Sequence, residues 1–379
     1  MNSQENDAIK QGNLLRDKGD LDGAIAAYTE SISLDSQNAE AYYGRAHVYV
    51  EKGEFDGAII DFAEAIRLNP EYAEAYGGRA YSYDKKGEFD RAITDYTVLI
   101  RLTPEPSRVY CNRAYQYINK GCLDEAIADY AEAIRLNPEY AEAYYSRGCL
   151  YDDKGDRDKA IADFTEAIRL NPKSFRVIRE RASTYGKKGD HDKAIADYTE
   201  AIRLNPEYAV AYYGRGYSYA EKGDHDKAIA DYTEAIRLNS EYAAVYNARG
   251  YSYLEKGDHT KAIADFTEAI HLDPKRVDAY NSRGCAYSEK GEHDQAIADY
   301  TEAIHLNPKH AKAYYNRGKA YSEKGDYDKA IADCTEAIQL DPQNGHAFNV
   351  RGGAYLKKGD KAKAKADFAQ AKKLVRKLV

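Results

Sequence analysis

The feature that most constrains this chain is a period. A stretch of 34 residues, clearest at Ala141–Ser174 (AEAYYSRGCLYDDKGDRDKAIADFTEAIRLNPKS), recurs in register eleven times, from Glu5–Asn38 to Gly345–Leu378. Four residues precede the array and Val379 follows it, which leaves no room for a separate catalytic block in the 379 residues. Self-similarity at a fixed spacing of this size marks a stacked repeat architecture.

Numbering each repeat 1–34 exposes its grammar. Positions 4, 7, 8 and 11 (Tyr144, Arg147, Gly148 and Tyr151 in the stretch above) have helical spacing and are read as the inward face of a first helix, A. Lys154-Gly155-Asp156 then breaks the helix, because glycine takes the left-handed turn at a helix end and aspartate caps the next one. Positions 20, 21, 24, 27 and 28 (Ala160, Ile161, Phe164, Ala167, Ile168) form a second helical face, helix B. Asn171-Pro172 ends it, since proline cannot supply the N–H a helix needs. The punctuation holds throughout: glycine stands at position 15 in all eleven repeats, and the nine prolines fall at position 32 or, for Pro106, at position 34.

With this pattern the chain resembles the tetratricopeptide repeat (TPR) family, whose signature is W-x2-L-G-x2-Y, A-x3-F and P at 34-residue spacing. Here tyrosine usually replaces the tryptophan and arginine the leucine, whereas Tyr151, Ala160, Phe164 and Pro172 match. The resemblance covers essentially the whole chain. It implies an all-α solenoid, a right-handed superhelix of antiparallel helix pairs forming a single domain over 1–379, with repeats beginning at 5, 39, 73, 107, 141, 175, 209, 243, 277, 311 and 345. It also implies a protein-interaction scaffold that binds a partner peptide or segment along its concave face, rather than an enzyme. A self-associating structural module and an accessory or chaperone-type subunit are the alternatives. The fold specifies the function far less than it specifies the architecture.

Composition narrows the field. A net charge of −8 and a pI of about 5.7 argue against general nucleic-acid affinity. The N-terminal MNSQENDAIK lacks an apolar signal core, and no apolar run approaches a membrane span. The five cysteines (Cys111, Cys122, Cys149, Cys285 and Cys334) have no CxxC spacing and read as reduced thiols of a cytoplasmic protein.

The ends of the array differ from its middle. Repeat 1 has Ala8, Leu15, Gln11 and Ser36 in place of the usual tyrosine, tyrosine, arginine and proline, as expected of a terminal repeat. In the last repeat the isoleucines of positions 21 and 28 become Lys365 and Lys372, which predicts a face that no further repeat covers. With Arg376 at position 32, the final helix is expected to run on, with Ala371, Leu374, Val375 and Leu378 as its apolar stripe. Gly345–Val379 carries a charge of +8 against −16 for the rest, read as a solvating cap or an anion site.

Three constellations carry chemistry. Position 7 is arginine and position 23 aspartate in every repeat but the first, which lacks both; this joint pattern predicts an ion pair within each repeat. A histidine row at position 17 (His191, His225, His259, His293) is read as turn-exposed, because equivalent positions in neighbouring repeats lie about 8–10 Å apart, too far to share a metal. No cofactor is implied. The third is the second face of helix A, positions 2, 5, 9, 12 and 13, which varies from repeat to repeat. In proteins that resemble this one that face lines the groove. The candidate partner-binding residues are Tyr43, Tyr81, Tyr115, Tyr145, Arg176, Arg179, Tyr213, Tyr217, Glu221, Tyr251, Glu255 and Tyr315. Tyrosine gives large contact area at low entropic cost, as interfaces prefer. The densest stretch is Tyr213, Tyr217 and Tyr251 with Glu221 and Glu255; Asn112, Lys312 and Asn316 do not assemble the carboxylate clamp of some TPR proteins.

Overall fold

The computed structural model describes residues 3–375. Among them the chain forms twenty-two α-helices, two to a repeat, with the A helices 13–15 and the B helices 14–15 residues long. Helices this short are marginal alone in water, so their packing must stabilise them. The chain divides into two compact units, 1–184 and 185–379. Within each, an A helix packs on its own B helix, that B helix packs on the next A helix, and some successive A helices touch one another, as Ala209–Glu221 touches Ala243–Glu255.

The sequence grammar translates directly into backbone. The glycine of position 15 sits at φ between +73° and +87° in all eleven repeats. At Gly53, the Glu54 N–H reaches back to the Tyr49 carbonyl (2.8 Å) and the Gly53 N–H to Val50 (3.0 Å), closing a Schellman motif that satisfies the last carbonyls of helix A. Asp156, Asp190, Asp224, Asp258 and Asp326 then cap helix B, each accepting from the backbone N–H three residues on. At the other end of the repeat, the Asn69 side chain accepts from the Glu71 N–H as the chain turns toward the next A helix.

The core corrects the inward face read for helix A. The fully buried positions are 3, 8 and 10, for example Ala41, Ala46 and Val48, or Ala211, Gly216 and Ser218. The tyrosines of positions 4 and 11 are only half-buried. Helix A is held between two B helices, so the closest approach demands small residues, and the large rings lie along the flanks. Gly214 shows how tight this is: a Cβ there would come within 2.3 Å of the Tyr198 ring. On helix B, positions 20, 24 and 27 are buried, whereas the isoleucines at 21 and 28 are mostly half-buried and pack toward the next repeat, as Ile263 does beside Ala286. In the last repeat Lys365 and Lys372 are exposed, as is Phe368, whose counterparts elsewhere are buried. Arg376 and Leu378 lie outside the described residues, as does the side chain of Val375.

The predicted ion pair is present and two-pronged. In repeats 2–5 and 7–11 the position 7 arginine donates Nε and one terminal nitrogen to the two oxygens of the position 23 aspartate; Arg215 does so to Asp231 at 2.8 Å twice. The aspartates are buried. Where position 25 of the preceding repeat is threonine rather than Ala63 or Ala131, the remaining terminal nitrogen reaches it, as Arg215 reaches Thr199 at 3.1 Å and Arg45 reaches Thr29 at 3.0 Å. One guanidinium therefore ties together three helices. The aspartate hydrogen bond holds the Arg215 guanidinium above its ordinary range.

Candidate functional site

The variable face of helix A does not stand equally open along its length. Tyr81, Tyr115, Tyr217 and Tyr251, all at position 9, are exposed, Tyr115 to 53% and Tyr217 to 48%. The position 5 tyrosines are half-buried because the ring leans back between repeats. Tyr43 stacks at 4.8 Å on Tyr72, Tyr213 lies 5.4 Å from Tyr242, and Tyr315 lies 6.3 Å from His346. Tyr145 packs 6.2 Å from Phe164, and burial pushes its hydroxyl up to about 12. Arg179 pairs with Glu180 at 2.7 Å, and Arg176 lies over the Phe175 ring. Tyr145 and Arg176 share a smaller cavity of about 330 Å³ in the first compact unit.

In the second unit the residues of the densest stretch come together. A cleft of about 550 Å³ opens between the A helices of repeats 7 and 8 (Ala209–Glu221 and Ala243–Glu255), lined by Tyr213, Tyr217, Tyr251, Glu221 and Glu255. Tyr213 and Tyr217 are four residues apart on one helix and so share a face, and the next helix brings Tyr251 to the same cleft. Tyr232 of helix B also lines it, almost fully buried, with its hydroxyl pKa raised chiefly by desolvation. Desolvation and the neighbouring Glu221 likewise raise Tyr217.

The cleft residues outside the predicted set include Asn247, Asp278, Arg276 and His225. Asn247 is 8% exposed; its Nδ2 donates to Asp278 Oδ2 at 3.1 Å, and its Oδ1 is buried without a partner. Arg276 lies 3.6 Å from Asp273 and 3.3 Å from Asp278. His225 completes the wall. The position 5 asparagine was visible in the sequence, but its orphaned oxygen depends on which side chain of the next repeat takes its N–H.

The histidine row is half-buried rather than turn-exposed, because position 17 opens helix B under the next A helix. His259 Nδ1 lies 3.5 Å from Glu289 and His293 Nδ1 3.4 Å from Glu323, one repeat along. Among the described residues no group of three or more His, Cys, Asp or Glu side chains is placed to hold a metal. All five cysteines are unpaired, and Asn316 is buried, donating to Asn281 at 3.0 Å. No helix among the described residues is long and apolar enough to cross a membrane.

Comparison with known families agrees with this arrangement. Tetratricopeptide repeat profiles match residues 45–105, 141–174, 179–243, 218–277, 266–298, 311–344 and 345–376, and TPR repeat profiles match 12–53, 114–155 and 284–325. The chain belongs to the tetratricopeptide repeat family. It is an all-α TPR solenoid of paired helices and a scaffold for protein–protein interaction. No curated protein matches it. Among solved structures it is similar to a tetratricopeptide repeat protein from Parabacteroides merdae ATCC 43184, 21% identical, over 65% of this TPR chain and 98% of that one, with a TM-score of 0.53. It is also similar to a chain of the APC/C hetero-tetramer Cut9-Hcn1, 15% identical, over 98% of this chain and 94% of that one, with a TM-score of 0.51. At these identities the likeness is one of fold.

Proposed function

We propose that this TPR array is a non-enzymatic scaffold that binds a segment of a partner protein along the variable face of its A helices, with the cleft of repeats 7 and 8 as the principal contact. The observation that carries this reading is the gathering of exposed Tyr217 and Tyr251 with half-buried Tyr213 around one cavity of about 550 Å³. Exposed rings set beside charged side chains are what interface hot spots use, and truncating such an aromatic typically costs about 2 kcal/mol or more of binding. Five unpaired cysteines fit a reducing, cytoplasmic setting.

Tyr217 and Tyr251 are the pair to test, because they are the exposed rings: Tyr213 packs on the core cluster of Tyr232 and Val245, whereas Tyr251 meets the core only edge-on, at Phe266. In the double variant Tyr217→Ala/Tyr251→Ala the melting temperature should stay near that of the parent while capture of the protein's partner falls. Unchanged capture rules the cleft out. A large fall in melting temperature instead makes these rings part of the repeat stacking.

A further inference from the structure

The chemistry lining this cleft is one-sided, and that bears on what a bound segment must carry; the inference rests on the reading that this face takes a partner segment. Three carboxylates (Glu221, Glu255, Asp278) face one guanidinium, Arg276, and one imidazole, His225; Arg276 is paired with Asp273 and Asp278, although its Nε, 3.6 Å from Asp273, makes no hydrogen bond. Glu221 and Glu255 have no cation partner among the described residues. Of their counterparts in the next two repeats, Glu323 lies 3.9 Å from the Lys319 ammonium, and Glu289 and Glu323 lie 3.5 Å and 3.4 Å from the imidazoles of His259 and His293. The cleft also holds a buried acceptor that nothing satisfies, Asn247 Oδ1, on a side chain more than nine-tenths buried. Buried polar atoms of this kind are rare in folded proteins and call for an explanation.

We propose that the cleft is a recognition pocket for an arginine side chain of the partner segment. The guanidinium sits against the rings of Tyr217 and Tyr251 and bonds Glu221 and Glu255. A planar five-donor fork can stack on an aromatic ring and serve two carboxylates at once, whereas an ammonium acts as a point charge. Asn247 and Glu255 are eight residues apart on one helix, about 12 Å at 1.5 Å per residue. One guanidinium cannot bridge that span, so Asn247 Oδ1 takes a backbone N–H of the segment instead. A side-chain pocket at one end and a backbone anchor at the other fix the direction in which the segment lies.

The test uses the full chain and pools of short acetylated, amidated peptides with randomised flanks and a fixed central residue: arginine, its neutral isostere citrulline, lysine or glutamate. Fluorescence anisotropy should show the arginine pool binding roughly tenfold or more tightly than the citrulline pool, the scale of a charge-assisted bond over a neutral one. Glu221→Gln with Glu255→Gln should bring arginine down to the citrulline level with the melting temperature unchanged. Asn247→Ala should weaken both pools alike, because it acts on the backbone. Equal binding of arginine and citrulline, a preference for glutamate, lysine matching arginine, or discrimination that survives the glutamine variant would each overturn the pocket. If peptides bind without discrimination and Tyr217→Ala/Tyr251→Ala abolishes that binding, the arginine pocket fails and the partner-binding reading stands. If no pool binds, both fail.

Discussion

Removing Arg215 should cost the seventh repeat far more than a surface ion pair would. The side chain makes two 2.8 Å bonds to Asp231, one of 3.1 Å to Thr199, and lies 5.7 Å from the Tyr212 ring centre. Asp231 is 7% exposed, and its carboxylate depends on Arg215 for both of these bonds. Breaking a buried pair by removing one partner costs about 3–5 kcal/mol, mostly from the stranded charge. The Arg215 side chain is 18% exposed, so water enters where it is cut back and the cost of Arg215→Ala lies near the lower bound, about 3 kcal/mol. Asp231→Ala should cost less, about 1–2 kcal/mol, because the freed guanidinium can turn toward solvent. The double variant should then cost about 2 kcal/mol less than the sum of the singles, a coupling typical of groups in one network. Replacing the pair with apolar residues of similar volume, Arg215→Met with Asp231→Leu, should be nearly neutral.

In a long repeat array a local probe resolves a change confined to one repeat better than the overall melting curve does. Amide hydrogen exchange over Ala209–Glu221 and His225–Leu238 reads the opening of that repeat directly. Strict additivity of the two alanine variants, or an Arg215→Ala effect no larger than the fraction of a kcal/mol typical of exposed pairs, would refute the reasoning.

Other consequences are quicker to check. Thr199→Val should leave the Arg215–Asp231 fork intact and loosen only its tie to the preceding repeat, costing about 1 kcal/mol or less in the exchange experiment. Gly223→Ala places a Cβ at φ +79°, in open space but in a strained backbone, and should destabilise the turn by about 1 kcal/mol, read from exchange at the end of helix A. Lys365→Ile with Lys372→Ile should add apolar surface beside exposed Phe368 and promote association; a double variant as monomeric as its parent on size exclusion would count against that face as a stacking surface. Asp156, Asp224, Asp258 and Asp326 have carboxyls held below the ordinary value of 3.8, first by the lysine side chain three residues on. Depressed folded values mean that their contribution is complete above 3.8 and is lost as pH falls through the lower folded values. Changing all four to asparagine keeps the cap but should shrink the drop in melting temperature between neutral pH and about pH 3; an undiminished drop assigns acid sensitivity to other carboxylates.

The architecture was legible because its signals are local and repeated. The glycine of position 15 reports a positive φ, the proline of position 32 reports a helix end, and eleven copies in register leave little freedom for another arrangement. The arginine–aspartate pair was legible for a different reason: repeat 1 lacks both residues, so charge balance alone points from one to the other. What escaped was set by distances between helices. A wheel drawn through Tyr144, Arg147, Gly148 and Tyr151 finds the apolar side of helix A, but not that the closest contact runs through Ala143, Gly148 and Leu150, with the tyrosines displaced to the flanks. Hydropathy does not distinguish a bracing threonine from an exposed one, so Thr199 carries no signal without the arginine that reaches it. The histidine row reads as a turn because position 17 follows the glycine so closely, yet that position opens helix B and is partly covered by the next repeat.

The same logic supports placing the proposed contact where the repeats are allowed to differ. Positions 3, 8, 10, 20, 24 and 27 are fixed by packing, and positions 7 and 23 by each other, so a change there costs stability before it alters recognition. The exposed end of position 9 and the carboxylates of position 13 carry no such constraint. Tyr217 and Tyr251 project beside Glu221 and Glu255, both rings exposed, with Tyr251 meeting Phe266 edge-on at 5.6 Å. Asn247 breaks this division, since it is as buried as a core residue while its oxygen does nothing for the core. An apolar residue at position 5 would avoid the unsatisfied oxygen, so stability alone does not account for asparagine there. Asn247→Leu should therefore be neutral or stabilising by exchange while weakening every peptide pool that binds. If it destabilises repeat 8, the amide is serving the fold through Asp278, and the backbone anchor must be withdrawn.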